Sequence, residues 1–308
     1  MHAAVVSAFD RPPRYQEFPD PVAQGTDEAV VEVVAAGLHP RVRSQADGSH
    51  YTSTAELPLI PGIDGVVRGP DGRLRYTVLD DTTLGTLAER TILRRGRSIV
   101  LPEDVDAVAV AAAMNPAMSS WVALRRRIDF RRGRSVLVLG ATGNAGRMAV
   151  QVARKLGASR VIGAGRNPDA LEALRPLGAD EVFTLGRLAG AADVDVVLDY
   201  LWGEPAATAM VDMISTRKER SDPVHWIQIG SMAGLTSPVP SAALRAARLQ
   251  IVGSGIGSVD GREWLEELPQ LVDAVTEGEF DVRAKAVPLK DVEQVWAAEA
   301  DDRIVLLP

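Results

Sequence analysis

Hydrophobic positions in the first hundred residues come in short runs broken by glycine and proline: AAVVSAF, EAVVEVVAAG, GVVRG, RLRYTVL and TLAERTIL. Runs this short and closely spaced predict an irregular antiparallel β domain. From about Ser119 the pattern changes to alternating strand and helix. SVLVL (135–139) is apolar without polar alternation, which predicts a strand buried on both faces. Residues 146–156 follow with Met148, Val152 and Leu156 at helical spacing, and Gly157 stops them. The alternation then repeats. RVIGAG, EVFTL, VDVVLDY, HWIQIG and LQIVGSG read as strands, with helices predicted over 168–174, 205–215 and 242–248. Strands separated by helices imply right-handed crossovers and a parallel, doubly wound sheet. Mixed text closes the chain, with a helix over 264–275 and then FDVRAKAVPL and DRIVLLP.

The most informative turn lies in SVLVLGATGNAGRMAVQ, where Gly140, Gly143 and Gly146 stand three apart between a strand and a helix. Glycines so placed allow a tight turn, a close approach of backbone amides to a pyrophosphate, and tight helix–strand packing. The amides and the helix dipole then hold the negative charge. The bland alternative is a ligand-free turn, which fits the spacing less well. A dinucleotide site selective for NAD carries an acid some 20 residues on. Here the second strand ends in Gly165, Arg166 and Asn167, with no carboxylate before Asp169. A guanidinium suits a phosphate, so Arg166 argues for NADP; the alternative is an exposed arginine at a helix start.

Composition narrows the rest. With 34 basic and 41 acidic residues in 308, the net charge is −7, which gives no footprint for nucleic acid. The stretch RRRIDFRRGR (125–134) reads as a solvated helix end and turn. There is no cysteine, hence no disulfide, nucleophilic thiol or thiolate zinc site. MHAAVVSAFDRPPR is not a signal peptide, and AVAVAAAM (107–114) is shorter than the ~18–20 residues that span a bilayer. The expectation is a cytosolic protein acting on a small molecule, with no membrane or nucleic-acid partner.

Taken together, these segments resemble the medium-chain dehydrogenase/reductase superfamily, in its zinc-independent quinone oxidoreductase branch. The resemblance rests on VVAAGLHP, LPLIPGIDG, GTLAERTIL, MNPAMSSWVAL, LGATGNAGRMAVQVARKLGA, LGADEVF, DVVLDYLWG, IQIGSMAG, LQIVGSGIGS and VPLKDVEQVW, in that order. It implies an α/β fold: a GroES-like β domain over 1–120, completed by 265–308, plus a Rossmann domain with a doubly wound parallel sheet over 121–264. Cofactor and substrate would meet in the cleft between them.

The resemblance also implies roles. Gly143, Asn144 and Ala145, with Gly140, Thr142 and Gly146 shaping the turn, would hold the pyrophosphate, and Arg166 and Asn167 the 2′-phosphate. Gly230 and Ser231 would border the adenosine ribose or pyrophosphate. Ser254, Gly255 and Ile256 would lie beside the nicotinamide, and Asn115 and Ser119 would begin the helix that faces it. Four departures stand out. Val67 replaces a glycine three after Asp64, the segment GRLRYTV is shortened, Leu185 stands where a cofactor-contacting tyrosine is common, and Asp302-Arg303 replaces Gly-Lys while keeping a cation.

The activity implied is NADPH-dependent, metal-free hydride transfer to a quinone or an α,β-unsaturated carbonyl, with donors holding the developing negative charge. The alternatives are a carbonyl reductase, a dedicated biosynthetic reductase and a non-catalytic NADPH-binding protein. Tyr51, in the loop GSHYTS, and His39 are the candidate proton donors. Each has a plain alternative: Tyr51 packing on Pro58 or Pro61, and His39 capping the turn before Pro40. LQIVGSG is expected at the sheet edge, where pairing would give a homodimer.

Overall fold

The computed structural model describes residues 1–298 and 302–308. In chain order, strands β1 (His2–Val5), β2 (Arg14–Glu17) and β3 (Glu28–Gly37) precede helix α1 (Pro40–Ala46). Strands β4 (Asp64–Arg68), β5 (Leu74–Val78), β6 (Arg90–Arg94) and β7 (Ser98–Val100) lead to helix α2 (Ala107–Arg126). Alternation follows: β8 (Ser135–Leu139), α3 (Asn144–Lys155), β9 (Arg160–Gly165), α4 (Pro168–Glu172), β10 (Glu181–Thr184) and β11 (Val196–Asp199). Next come α5 (Gly203–Thr216), β12 (Val224–Gln228), α6 (Ser241–Ala246), β13 (Leu249–Gly253) and α7 (Gly261–Thr276). The chain closes with β14 (Ala284–Pro288), α8 (Val292–Val295) and β15 (Arg303–Leu307). It divides into two compact units, Met1–Asn115 with Leu268–Pro308, and Pro116–Glu267.

In the first unit a seven-stranded sheet runs β14-β15-β3-β4-β5-β7, with β6 beside β3. The ten-residue β3 serves three neighbours. Its first half pairs with β6, a bulge between Val33 and Ala35 separates its contacts with β4, and its last residues meet β15. The apolar residues of EAVVEVVAAG that face inward join Ile60, Val67, Leu87 and Leu306 in one core. The shortened segment around Tyr76 still makes a strand, β5, because Arg75–Thr77 pair with β7 on one side and Leu74–Val78 with β4 on the other.

The second unit holds a six-stranded parallel sheet in the order β10-β9-β8-β11-β12-β13. Val136, Leu137, Val138 and Leu139 of β8 are all completely buried, as an apolar run without alternation requires. From β8 the chain winds outward through β9 to β10, then returns to the other side of β8 as β11. The strand order therefore reverses between β8 and β11, and ligands bind at such switch points, beyond the carboxyl ends of the strands. LQIVGSG supplies β13, the outer strand of this order, paired with β12.

Three expectations need correction. The helix expected over 168–174 stops at Glu172 and continues as a single 3-10 turn over Arg175–Leu177, since Pro176 cannot extend an α-helix. Helix α2 is 20 residues long with mean hydropathy 1.4, enough by length and composition to cross a bilayer. Of its most apolar 18-residue window 72% is buried within the protein, as in a core helix.

The arginine-rich stretch, read as solvated, is instead partly engaged. Arg125 and Arg126 Nε (2.6 Å) ion-pair with the buried Glu267, to which Trp121 Nε1 also donates at 2.9 Å. Arg127 donates to the carbonyls of Gly253 and Ser258, both at 2.7 Å. Arg131 keeps to an exposed local pair, with Asp129.

Burial raises the Glu267 carboxyl, but the bonds from Trp121, Arg125 and Arg126 together outweigh it and leave it below the usual glutamate range. Glu267→Gln is expected to cost about 1–3 kcal/mol at neutral pH, the arginines being partly solvated. The loss should show in denaturant unfolding at pH 7. It should vanish as the pH falls through the native Glu267 value, where the wild type also carries a neutral side chain.

Candidate functional site

The turn from β8 to α3 uses its three glycines for three different reasons. Gly140 adopts a φ of +80°, and a Cβ there would stand 3.0 Å from Leu201 Cδ2. Gly146 is forced by space: a Cβ would lie 2.2 Å from the Gly140 carbonyl oxygen and 2.6 Å from Ala141 Cα. Gly143 is neither strained nor crowded, with φ −77° and only the Gly140 oxygen within reach of a Cβ, at 3.8 Å. Nothing in the fold requires glycine at 143, so its bareness faces open space where a ligand backbone can approach. Helix α3 begins there without a side-chain cap and without an acid in its first turn. The amides of Asn144, Ala145 and Gly146 thus present the positive end of a 12-residue helix to that space, the arrangement that holds a pyrophosphate.

Beside this turn, a Cβ on Gly165 at the end of β9 would meet Thr142 Cγ2 at 3.1 Å. Arg166 follows directly, exposed and without an ion pair among the described residues. Asn167 caps α4, its Oδ1 accepting from the amides of Asp169 (3.0 Å) and Ala170 (3.4 Å). Its carbonyl oxygen is spent on the helix, which leaves only its amide group for a phosphate.

Across the switch point, the organiser is a residue that sequence reading missed. Asp199 ends β11 completely buried. Its Oδ1 accepts from the amides of Leu201 (2.8 Å) and Trp202 (2.9 Å), and its Oδ2 from Trp226 Nε1 (2.9 Å). Burial raises its carboxyl above the usual range even against these three donors. The bonds hold Trp202 at φ +51°, a conformation seldom adopted by a large side chain. An aspartate closing a fully apolar strand, in VVLD, was the signal available in the sequence.

Tyr200 is also buried, and burial pushes its phenol up to about 12. It hydrogen-bonds Ser119 Oγ at 2.9 Å, while Ser119 Oγ itself donates to the Pro116 carbonyl at 2.7 Å. Ser119 has a single hydroxyl hydrogen, so Tyr200 is the donor, and Ser119 is left with an accepting lone pair for any ligand. Asn115 and Ser119 do not begin their helix. Asp106 Oδ1 caps the amides of Val108 and Ala109, which starts α2 eight residues before Asn115. Gly230 lies against the carbonyl of Tyr200, 2.8 Å from a Cβ position, and Ser231 is exposed beside it. Ser254 is buried after β13, its amide bonded to the Gln228 carbonyl at 2.8 Å, with Gly255 and Ile256 exposed beyond it.

In the first unit, His39 precedes α1 but its side chain caps nothing. It is buried, with Nε2 2.8 Å from Asp64 Oδ1, and the Tyr76 hydroxyl donates to Asp64 Oδ2 at 2.8 Å. Burial holds the imidazole below the usual histidine range despite the opposing pull of Asp64. His39 is therefore neutral at pH 7. With its N–H directed to Asp64, it offers Nδ1, an acceptor that has no partner among the described residues. Tyr51 is 71% exposed and stacks on His50, ring centroids 4.2 Å apart. Arg303, the cation of the last strand, is buried and donates to the Leu38 carbonyl at 3.1 Å. Among the described residues no three His, Asp or Glu side chains gather as a metal site.

No known protein-family model matches the sequence. The probable NADPH-dependent quinone reductase tdiC of Emericella nidulans is 30% identical, with 100% of both chains covered. An NADPH-dependent alkenal/one oxidoreductase of Arabidopsis thaliana is 28% identical over 50% of this chain and 44% of its own length. Among solved structures, the quinone oxidoreductase of Thermus thermophilus, solved also in complex with NADPH, superposes with a TM-score of 0.85 at 26% identity over 100% of both chains.

The glycines separate folding from binding. Gly146→Ala is expected to destabilise the protein by about 1–3 kcal/mol, since backbone must move. Gly143→Ala is expected to leave stability within about 0.5 kcal/mol yet weaken dinucleotide binding about tenfold or more. Thermal melts and fluorescence titration with NADPH measure both.

Proposed function

The chain belongs to the quinone oxidoreductase branch of the medium-chain dehydrogenase/reductase superfamily, and from that premise we propose how its residues reduce a quinone or an α,β-unsaturated carbonyl with NADPH. The observation that carries this reading is the glycine turn at the switch point, bare at Gly143 and closed at Gly146, with Arg166 at its side. When bound, NADPH supplies a hydride from C4 of its nicotinamide. The α3 amides hold the pyrophosphate, and Arg166 takes the 2′-phosphate with no carboxylate before Asp169 to repel it. Asp199 fixes the opposite wall of the crevice through the backbone of Leu201 and Trp202.

Reduction of a conjugated acceptor places negative charge on its oxygen, which hydrogen-bond donors stabilise. Tyr51 is the proposed donor, its phenol being the exposed one of the two candidates. His39 is assigned a different task from the one its position suggested. As a neutral imidazole oriented by Asp64, it accepts a hydrogen bond from water or from a substrate hydroxyl at Nδ1 and does not give up a proton. The reading includes catalysis without a metal, supported by the absence of cysteine, and a homodimer formed through the outer strand β13.

The test is NADPH oxidation by EDTA-treated protein, followed by absorbance with a quinone, an enone or a simple aldehyde, and with NADH as the comparison. Turnover of the quinone or enone is expected, favouring NADPH over NADH by about tenfold or more in kcat/KM, with Arg166→Ala removing most of that preference. Turnover of the aldehyde alone, or equal use of NADH, would contradict the reading.

A further inference from the structure

The loop carrying Tyr51 is built around an arginine that the reductase reading leaves unused. Arg41 stands in the first turn of α1, and its side chain is only 12% exposed. Its Nη2 donates to Thr52 Oγ1 at 2.7 Å and ion-pairs with Asp81, whose side chain is also 12% exposed. Thr52 bonds Asp81 and lies 2.9 Å from His50 Nδ1. The residues on both sides of Tyr51 are thereby tied to the Arg41–Asp81 pair.

His50 adds no charge there. Its Nδ1 accepts from the Thr52 amide at 3.2 Å, and burial, then Arg41, push it down to about 4. At neutral pH the charges of the cluster are Arg41 and Asp81.

The pair is not satisfied by its neighbours. Arg41 Nε and Nη1, and Asp81 Oδ1, are buried with no hydrogen-bond partner among the described residues. Open donors and an open acceptor at one buried ion pair are placed to take a further partner. The occupant must accept from a guanidinium and donate to a carboxylate. A simple anion fails the second requirement and a cation fails the first. Water meets both, and so does a carbonyl with a neighbouring hydroxyl, which would displace it.

We propose that Arg41 and Asp81 form a recognition site for acceptors whose reducible carbonyl bears an adjacent hydroxyl. The carbonyl oxygen accepts from Arg41 Nη1, and the hydroxyl donates to Asp81 Oδ1. This deepens the reductase reading and rests on it for the ligand being an electron acceptor. Arg41 acts as a substrate-selecting residue, and Asp81 both holds it and reads the hydroxyl.

The experiment compares 5-hydroxy-1,4-naphthoquinone with unsubstituted 1,4-naphthoquinone, using NADPH, in the wild type, Arg41→Gln and Asp81→Asn. The readout is the ratio of the two kcat/KM values, which cancels general losses of activity. The wild type is expected to prefer the hydroxylated quinone, and the ratio to fall about tenfold in each variant, mainly through KM. Thermal melts report whether each variant is folded, and Asp81→Asn carries the test if Arg41→Gln is not. A wild type without preference, or ratios within about twofold of wild type in folded variants, overturns the proposal and assigns the cluster to bound water. If neither quinone is turned over, the reductase reading fails on its own. Calorimetric titration with 5-hydroxy-1,4-naphthoquinone then decides: binding lost in Arg41→Gln upholds the site, and equal or absent binding overturns it.

Discussion

Helix α3 can begin where it does only because nothing projects from residue 146. A Cβ there would sit 2.2 Å from the carbonyl oxygen of Gly140, so the first turn of the helix rests directly on the end of β8. That contact fixes the helix axis against the sheet and aims its unpaired amides over the carboxyl ends of the strands. It also sets Gly143 at the lip of the turn, where no side chain competes with a ligand. The anion site is a product of backbone packing, and side chains only tune it. Arg166 tunes its charge preference, and Asn167 secures the helix that follows.

Buried carboxylates do the remaining positioning. Asp199 gathers two turn amides and an indole, Glu267 two guanidinium groups and an indole, and Asp64 an imidazole and a phenol. Each accepts from groups distant in sequence, and each would be costly to bury without them. Asp64 decides what His39 can do, since an imidazole that donates to a buried carboxylate keeps an acceptor on its other nitrogen. The Arg41–Asp81 pair differs from these three in that its carboxylate keeps one oxygen, Oδ1, without a partner among the described residues.

Periodicity and spacing are local signals, and they carried as far as local signals reach. The apolar SVLVL run, the glycine triplet and the absence of an acid before Asp169 were legible from neighbours in sequence, while the outer position of LQIVGSG followed from the family resemblance. Partnerships such as Trp226 with Asp199, 27 residues apart, or Trp121 with Glu267, 146 apart, were not, because no pattern announces them. The same limit makes Arg125 and Arg126 read as solvated, their partners lying on α7. Asn115 is expected at a helix start only through the resemblance, whereas the cap at Asp106 and the alanine-rich run after it start the helix earlier and carry it through Pro116. The solvated and buried roles of Tyr51 and His39 depend on loop packing around Asp64 and His50, which composition does not encode.

The central claim, that this fold delivers hydride directly from bound NADPH to a conjugated acceptor, is tested most directly with NADPH deuterated at C4. In single turnover with an enone, mass spectrometry should find one deuterium, from one of the two C4 diastereomers, in the reduced product. With a quinone, whose hydroxyl hydrogens exchange, the same label should slow cofactor oxidation by a primary isotope effect. An enone product without deuterium from either diastereomer, or cofactor oxidation insensitive to the label in single turnover, would contradict the account.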